Sequence, residues 1–343
     1  MKTKAGWALA GLFTITATLL LPACKGQETQ AVTVLAEHER FRAITHPSDA
    51  LLPLPPGPDV DTQKVELGRR LFFEPRLSHD NSLSCASCHD LAHGGADNRP
   101  TATGIGKQLG PINTPTVFNA GLNIAQFWDG RADTLEAQAA GPVHNPLEMG
   151  SNWQEVKTKL AQDPAYVQAF MQVYGQSLEG ALVADALAAF ERTLATPNSR
   201  FDQFLRGNST ALSTQEKAGY QFFKDYGCAS CHQGAGIGGN MYQRFGVMED
   251  YYRDKPAKPA DLGRFNVTQL PQDRHVFKVP GLRNVAVTAP YFHDASAATL
   301  EEAVRVMGRY QLGRELPRNE VAAITAFLRA LTGEWQGKPL QRP

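Results

Sequence analysis

The chain has 343 residues, with 34 basic and 34 acidic side chains that cancel. A zero net charge excludes the global positive field by which many proteins hold nucleic acid. Hydrophobic residues at 42% and charged residues at 20% give a globular balance, and the length suggests about two domains, each able to bury a core.

The N-terminus reads as an export signal. Lys2 and Lys4 precede an apolar run from Ala8 to Leu21, too short to span a bilayer comfortably. The run closes on Leu21-Pro22-Ala23-Cys24, the pattern of a bacterial lipoprotein signal (residues 1–23) with Cys24 as the lipidated residue. The other reading is a plain secretory signal with an incidental cysteine. Four of the five cysteines are already paired within motifs, which favours the lipid anchor. Lys25, rather than an acidic residue, points to an outer-membrane anchor facing the periplasm. Residues 24–58 read as a polar tether ending in a Pro-rich spacer, Leu51 to Pro58. The folded body is expected from Asp59.

Beyond the spacer the pattern is helical. Ser213-Thr214-Gln215-Glu216 and Thr299-Leu300-Glu301-Glu302 are capping boxes, the second opening a helix through Ala303, Val304 and Met307. Ala181 to Leu194 predicts a helix ended by Thr196-Pro197. Val321, Ile324, Phe327, Leu328 and Leu331 keep helical spacing up to Gly333. Long alternating runs are missing, so the fold is expected to be mainly α.

Cys85-Ala86-Ser87-Cys88-His89 recurs as Cys228-Ala229-Ser230-Cys231-His232. The surroundings recur too: Gly68 to Phe73 answers Gly219 to Phe223, and Gly94-Gly95 answers Gly238-Gly239. The repeat is therefore domain-sized, too long for a solenoid unit. C-x-x-C-H is the attachment pattern of c-type haem. Two thiols reach the vinyl groups and the next residue, His, turns to the iron. A zinc site would use four thiolates and leave His89 and His232 idle, and a redox dithiol would need no histidine.

Further motifs follow in order: Phe127-Trp128-Asp129-Gly130-Arg131, Asn145-Pro146-Leu147-Glu148-Met149, Val279-Pro280-Gly281-Leu282-Arg283-Asn284, Ala289-Pro290-Tyr291-Phe292-His293-Asp294 and Met307-Gly308-Arg309. From about Leu67 to Gly333 the chain resembles the bacterial dihaem cytochrome c peroxidases. The repeat and a Pro-Asn-Ser turn at Asn198 give two cytochrome c-like haem domains, 59–198 and 199–334, related by internal duplication, and leave open whether the last helix packs back on the first domain. The resemblance implies a peroxidatic haem on Cys85, Cys88 and His89. A second, electron-accepting haem on Cys228, Cys231 and His232 would take Met307 as its other axial ligand. Trp128 would lie between the haems. Glu148, with Gln138 beside it, would move the proton that O–O cleavage requires. Asn113, Thr288 and Pro290 would hold a calcium ion, the last two through backbone carbonyls. The partners implied are hydrogen peroxide and a small c-type cytochrome or copper protein, with a homodimer as the common assembly.

In one place the pattern breaks. Many of the family's members carry Gly-His-Gly after the first motif, and that histidine caps the peroxidatic iron in the oxidised enzyme. Here the stretch is Gly104-Ile105-Gly106, and isoleucine cannot ligate iron. The expectation is a peroxidase that needs no reductive activation. The competing expectation is a substitute ligand, His144 first, with His93, His79, His38 and His46 weaker. Two other functions are weighed. A protein side-chain oxidase, like the relative that matures methylamine dehydrogenase, has Tyr where Met307 stands. A plain electron carrier or sensor would have no use for Glu148, Gln138 or Trp128.

Overall fold

The computed structural model describes residues 50–256 and 258–342. The expected signal, Cys24, His38, His46 and most of the tether lie outside the described residues. Helices dominate: α1 (Thr62–Phe72), α2 (Leu135–His144), α3 (Trp153–Leu160), α4 (Pro164–Tyr174), α5 (Gly180–Arg192), α6 (Arg200–Leu205), α7 (Thr214–Asp225), α8 (Phe265–Thr268), α9 (Leu300–Leu312) and α10 (Arg318–Arg329). The only sheets among the described residues are two-stranded. In one, β1 (Tyr242–Arg244) runs antiparallel to β2 (Val276–Lys278); in the other, β3 (Glu334–Trp335) runs antiparallel to β4 (Lys338–Pro339).

Both capping boxes form. Ser213 accepts from the Glu216 amide at the head of α7, and Thr299 accepts from the Glu302 amide at the head of α9. Each glutamate returns the bond to its cap residue, so orphan N–H groups are satisfied in pairs. Two helices end earlier than periodicity suggests. α5 stops at Arg192 and α10 at Arg329, because the apolar residues that follow, Leu194 and Leu331, are buried from turns instead.

The two halves are built by the same devices. α1 crosses α5 so closely that a Cβ at Gly68 would lie 1.8 Å from the Ala186 carbonyl oxygen. α7 crosses α10 in the same way, with 1.9 Å between a Cβ at Gly219 and the Ala323 oxygen. Glycine is needed at both crossings because only a missing side chain lets the backbones meet. Asn119 and Asn284 both take the left-handed conformation, as do Phe127 and Phe292. Isolated bridges, Gln126 with Ala132 and Tyr291 with Ala297, close matching loops. Each half has its own core, one around Phe72, Phe170 and Leu187, the other around Phe201, Tyr220 and Phe327.

The chain ends differ from expectation. The Pro-rich segment is extended, yet Leu51 and Leu54 are buried. Leu51 bridges Gly234, and the Leu54 amide donates to Asp202 Oδ1 at 3.0 Å. The folded body thus begins by residue 50, not at Asp59, because two leucines among the prolines find an apolar seat on the second half. At the other end, α10 stays in the second half against α7. It is the segment after it that returns: Trp335 meets Phe118 edge to face at 5.7 Å, and Leu340 joins the first core.

Candidate haem and peroxide site

The two CxxCH motifs fold alike. Residues Cys85–Ser87 and Cys228–Ser230 each form a 3-10 turn, and the amides of His89 and His232 donate to the Cys85 and Cys228 carbonyls at 2.9 Å. This turn brings both thiols and the imidazole of each motif to one spot. His89 Nδ1 donates to the Gly95 carbonyl at 3.1 Å, and His232 Nδ1 to the Pro280 carbonyl at 3.2 Å. A carbonyl can only accept, so the proton sits on Nδ1 and Nε2 keeps its lone pair for a metal. Burial favours the neutral ring in both, lowering the His89 pKa and pushing His232 down to about 4. Gly238, at φ +120°, could carry no side chain: a Cβ would lie 2.3 Å from the Pro280 oxygen and 3.2 Å from His232 Nδ1.

Cys85 and Cys228 pack against the apolar core of their own half. Burial pushes Cys85 up to about 12 and Cys88 and Cys228 to about 11, whereas reactive or metal-binding thiols are lowered. Nor does any group of three or more His, Cys, Asp or Glu side chains converge as a metal set among the described residues. The donor chemistry that fits is a covalent haem at each motif, with one imidazole apiece.

A cavity of about 460 Å³ opens in front of His232 and Cys231, within the usual range for a cofactor pocket. Met307, on α9, lines it together with His232, as do Trp128, Asn113, Thr288 and Pro290. With Cys228 and Cys231, the structure therefore gathers eight sequence-predicted residues around one space. Trp128 Nε1 donates to the Asn113 carbonyl at 2.9 Å, and the Lys278 amide donates to the Trp128 carbonyl at 2.9 Å. Its ring meets His293 edge to face, with 6.3 Å between centroids. Asn113 is buried, and its Nδ2 is committed to the Arg99 carbonyl at 2.7 Å, so Oδ1 is the atom left to face a cation. The Ala289–Pro290 bond is cis. No hydrogen bond reaches the Thr288 or Pro290 carbonyl among the described residues.

Glu148 belongs to the first motif's neighbourhood. It is half-buried in a tight turn beyond α2, where Asn145 Nδ2 donates to its Oε1 at 2.7 Å and its amide donates to the Asn145 carbonyl at 3.0 Å. Burial raises its pKa, partly offset by Asn145 and Arg131, and its charge is felt at Cys88. Asn145 is a partner that sequence reading passed over, although an amide three residues before an acid in a turn is a signal. Gln138 is half-buried on α2 and its side chain makes no hydrogen bond among the described residues.

Ile105 sits in a loop laced to that turn. Its amide donates to the Glu148 carbonyl at 2.8 Å, Gln108 Nε2 donates to the Pro146 carbonyl at 3.1 Å, and the Ile105 side chain packs over Gly150. The spare histidines are engaged elsewhere. His144 is exposed with its ring against Trp153 at 5.3 Å, His93 bonds Asp90 at 2.7 Å, and His79 bonds Glu155 at 3.0 Å.

Residues 62–210 match the sequence profile of the Di-haem cytochrome c peroxidase family. The chain is 49% identical over 271 residues to cytochrome c551 peroxidase of Nitrosomonas europaea, covering 79% of this chain and 80% of that one. The chain belongs to the di-haem cytochrome c peroxidases. They are peroxidase oxidoreductases with two c-type haems, as the two motifs here require. Cytochrome c peroxidase Ccp of Escherichia coli is 50% identical over 292 residues, 85% of this chain, which spans 63% of that relative's length. Among solved structures, a MauG-like protein associated with microbial copper homeostasis superposes with a TM-score of 0.74 at 28% identity. The match covers 82% of this peroxidase-family chain and 94% of that chain.

Proposed function

We propose that this chain reduces hydrogen peroxide to water with electrons drawn one at a time from a small c-type cytochrome or copper protein, and that it does so without prior reductive activation. The observation that carries the peroxidase reading is Glu148: a half-buried carboxyl with a raised pKa, hydrogen-bonded to Asn145 and electrostatically coupled to Cys88. An electron carrier has no need of such a group.

When bound, the haems supply the iron that takes peroxide and the second reducing equivalent. The protein's part is proton handling and order. H2O2 takes up two electrons and two protons to give two waters. Glu148 Oε accepts the proton from the near oxygen of peroxide and returns it to the departing one, so that water leaves rather than hydroxide. Asn145 holds the carboxylate in place, and Gln138 offers an amide on the adjoining helix. Trp128, pinned at Nε1 and at its carbonyl, would stand between the two haems. Met307 and His232, which line one cavity, would hold the electron-accepting haem, a pairing that would raise its potential above that of a haem with one histidine.

The absence of a ligating side chain at Ile105, and the other engagements of His144, His93 and His79, support an N-terminal haem open to peroxide in the oxidised enzyme. Asn113 Oδ1 and the Thr288 and Pro290 carbonyls are the proposed oxygen ligands of a calcium ion. The proposed setting is the periplasm, by way of a signal over residues 1–23 and a lipid on Cys24 in the outer membrane, with a homodimer as the assembly. The proposed domain boundary is Asn198. Stopped assays with a reduced small c-type cytochrome test the reading: two cytochromes oxidised per peroxide are expected. Protein with two haems attached that oxidises no cytochrome on adding peroxide would overturn it, in favour of a side-chain oxidase or a carrier.

A further inference from the structure

Lys278 is the last residue of β2, and only 8% of its surface is exposed. Its amide donates to the Trp128 carbonyl, and in the β1–β2 register it stands opposite Tyr242. Its side chain is another matter. Among the described residues no hydrogen bond, ion pair or opposing carboxylate reaches Nζ, and burial alone pushes its pKa down to about 8. The other deeply buried cation, Arg283, is treated quite differently. It holds Asp202 through two bonds at 3.0 and 2.9 Å and also donates to the Leu52 carbonyl.

A buried ammonium without a counter-charge is strongly disfavoured, and an anion seated beside it would relieve that cost. Lys278 lines the same cavity as Cys231, His232, Trp128 and Met307. Whatever fills that cavity meets Lys278. A c-type haem brings two propionate carboxylates, and its attachment to Cys228 and Cys231 fixes it in this space.

We propose that the Lys278 ammonium is the counter-charge of a propionate of the C-terminal haem, and that it holds this haem's reduction potential up. The inference rests on the reading that Cys228, Cys231 and His232 carry that haem. A fixed positive charge beside the haem opposes the extra positive charge of the ferric state and so favours the ferrous one.

The test compares Lys278→Met, Lys278→Gln and Lys278→Arg with the parent, each as the two-haem protein. Haem content by the pyridine haemochrome method comes first: two haems per chain in the parent establish the reading beneath the inference, and fewer would refute that reading on its own. Spectroelectrochemistry then follows each haem. Lys278→Met and Lys278→Gln are expected to shift the C-terminal haem's redox equilibrium about ten-fold towards ferric, which is about 59 mV for one electron. The N-terminal haem should shift far less, and Lys278→Arg should restore the parent value. The propionate bending band of the C-terminal haem in resonance Raman should move in the Met variant and not in the Arg variant. An unchanged potential and band in the Met and Gln variants, or no rescue by Arg, overturns the proposal. Should Lys278→Met fail to retain haem, Lys278→Gln and Lys278→Arg still decide it by the same two readings.

Discussion

Glu148 is where single-residue chemistry is most exposed to test. The carboxylate is the form that accepts peroxide's proton, so kcat/KM should fall as the pH drops through the Glu148 pKa. Burial raises that pKa, so the fall should begin above the usual carboxylate value of about 4.3. Asn145 Nδ2 favours the ionised form. Asn145→Ala therefore should move the acid limb to still higher pH, in a profile of kcat/KM measured with both haems in place. A limb that stays put would separate Asn145 from the acid. Sequence made Glu148 visible only through its motif, since an isolated glutamate reads as solvated surface. Lys278 was invisible for the same reason: a lysine in a three-residue strand looks like an exposed charge, and only its neighbours in space reveal that it is buried.

At the scale of elements, the helix crossings carry the fold. A Cβ at Gly219 would sit inside the Ala323 carbonyl, so Gly219→Ala must part α7 from α10, the pair that backs the second haem motif. Overpacking of this kind costs about 1–3 kcal/mol, and the expected result is a lower midpoint in chemical denaturation with unchanged haem content. A midpoint equal to the parent's would mean the helices cross more loosely than described. The capping boxes at Ser213 and Thr299 and the two CxxCH turns were legible because their signals are local, within five residues. Helix ends were less so. α5 and α10 stop before their apolar periodicity does, since Leu194 and Leu331 reach the cores from turns, a long-range matter that spacing does not record.

Across the whole molecule, each half receives a segment from the far end of the chain. Residues 50–54 lie on the second half, and the β3–β4 hairpin with Leu340 lies on the first. The N-terminal strap is held by Asp202, which accepts from the Leu54 amide while bonding Arg283 and the Ser199 hydroxyl. Leu54→Ala should then destabilise the protein by about 2–5 kcal/mol, as a buried leucine does, read from equilibrium unfolding. A free spacer would tolerate the change. Prolines hid this strap in the sequence, because they correctly announce an extended chain and say nothing of where it lies. The central claim also concerns the whole molecule: an oxidised enzyme whose N-terminal haem is already open, since Ile105 stands in the loop laced to Glu148. The measurement that tests it most directly is peroxide-dependent oxidation of a reduced c-type cytochrome by enzyme prepared fully oxidised, followed from the first turnover. Immediate full-rate turnover is the predicted result, with a lag appearing in Ile105→His. A lag in the parent that half-reduction removes would contradict it, and would mean that another residue caps the iron.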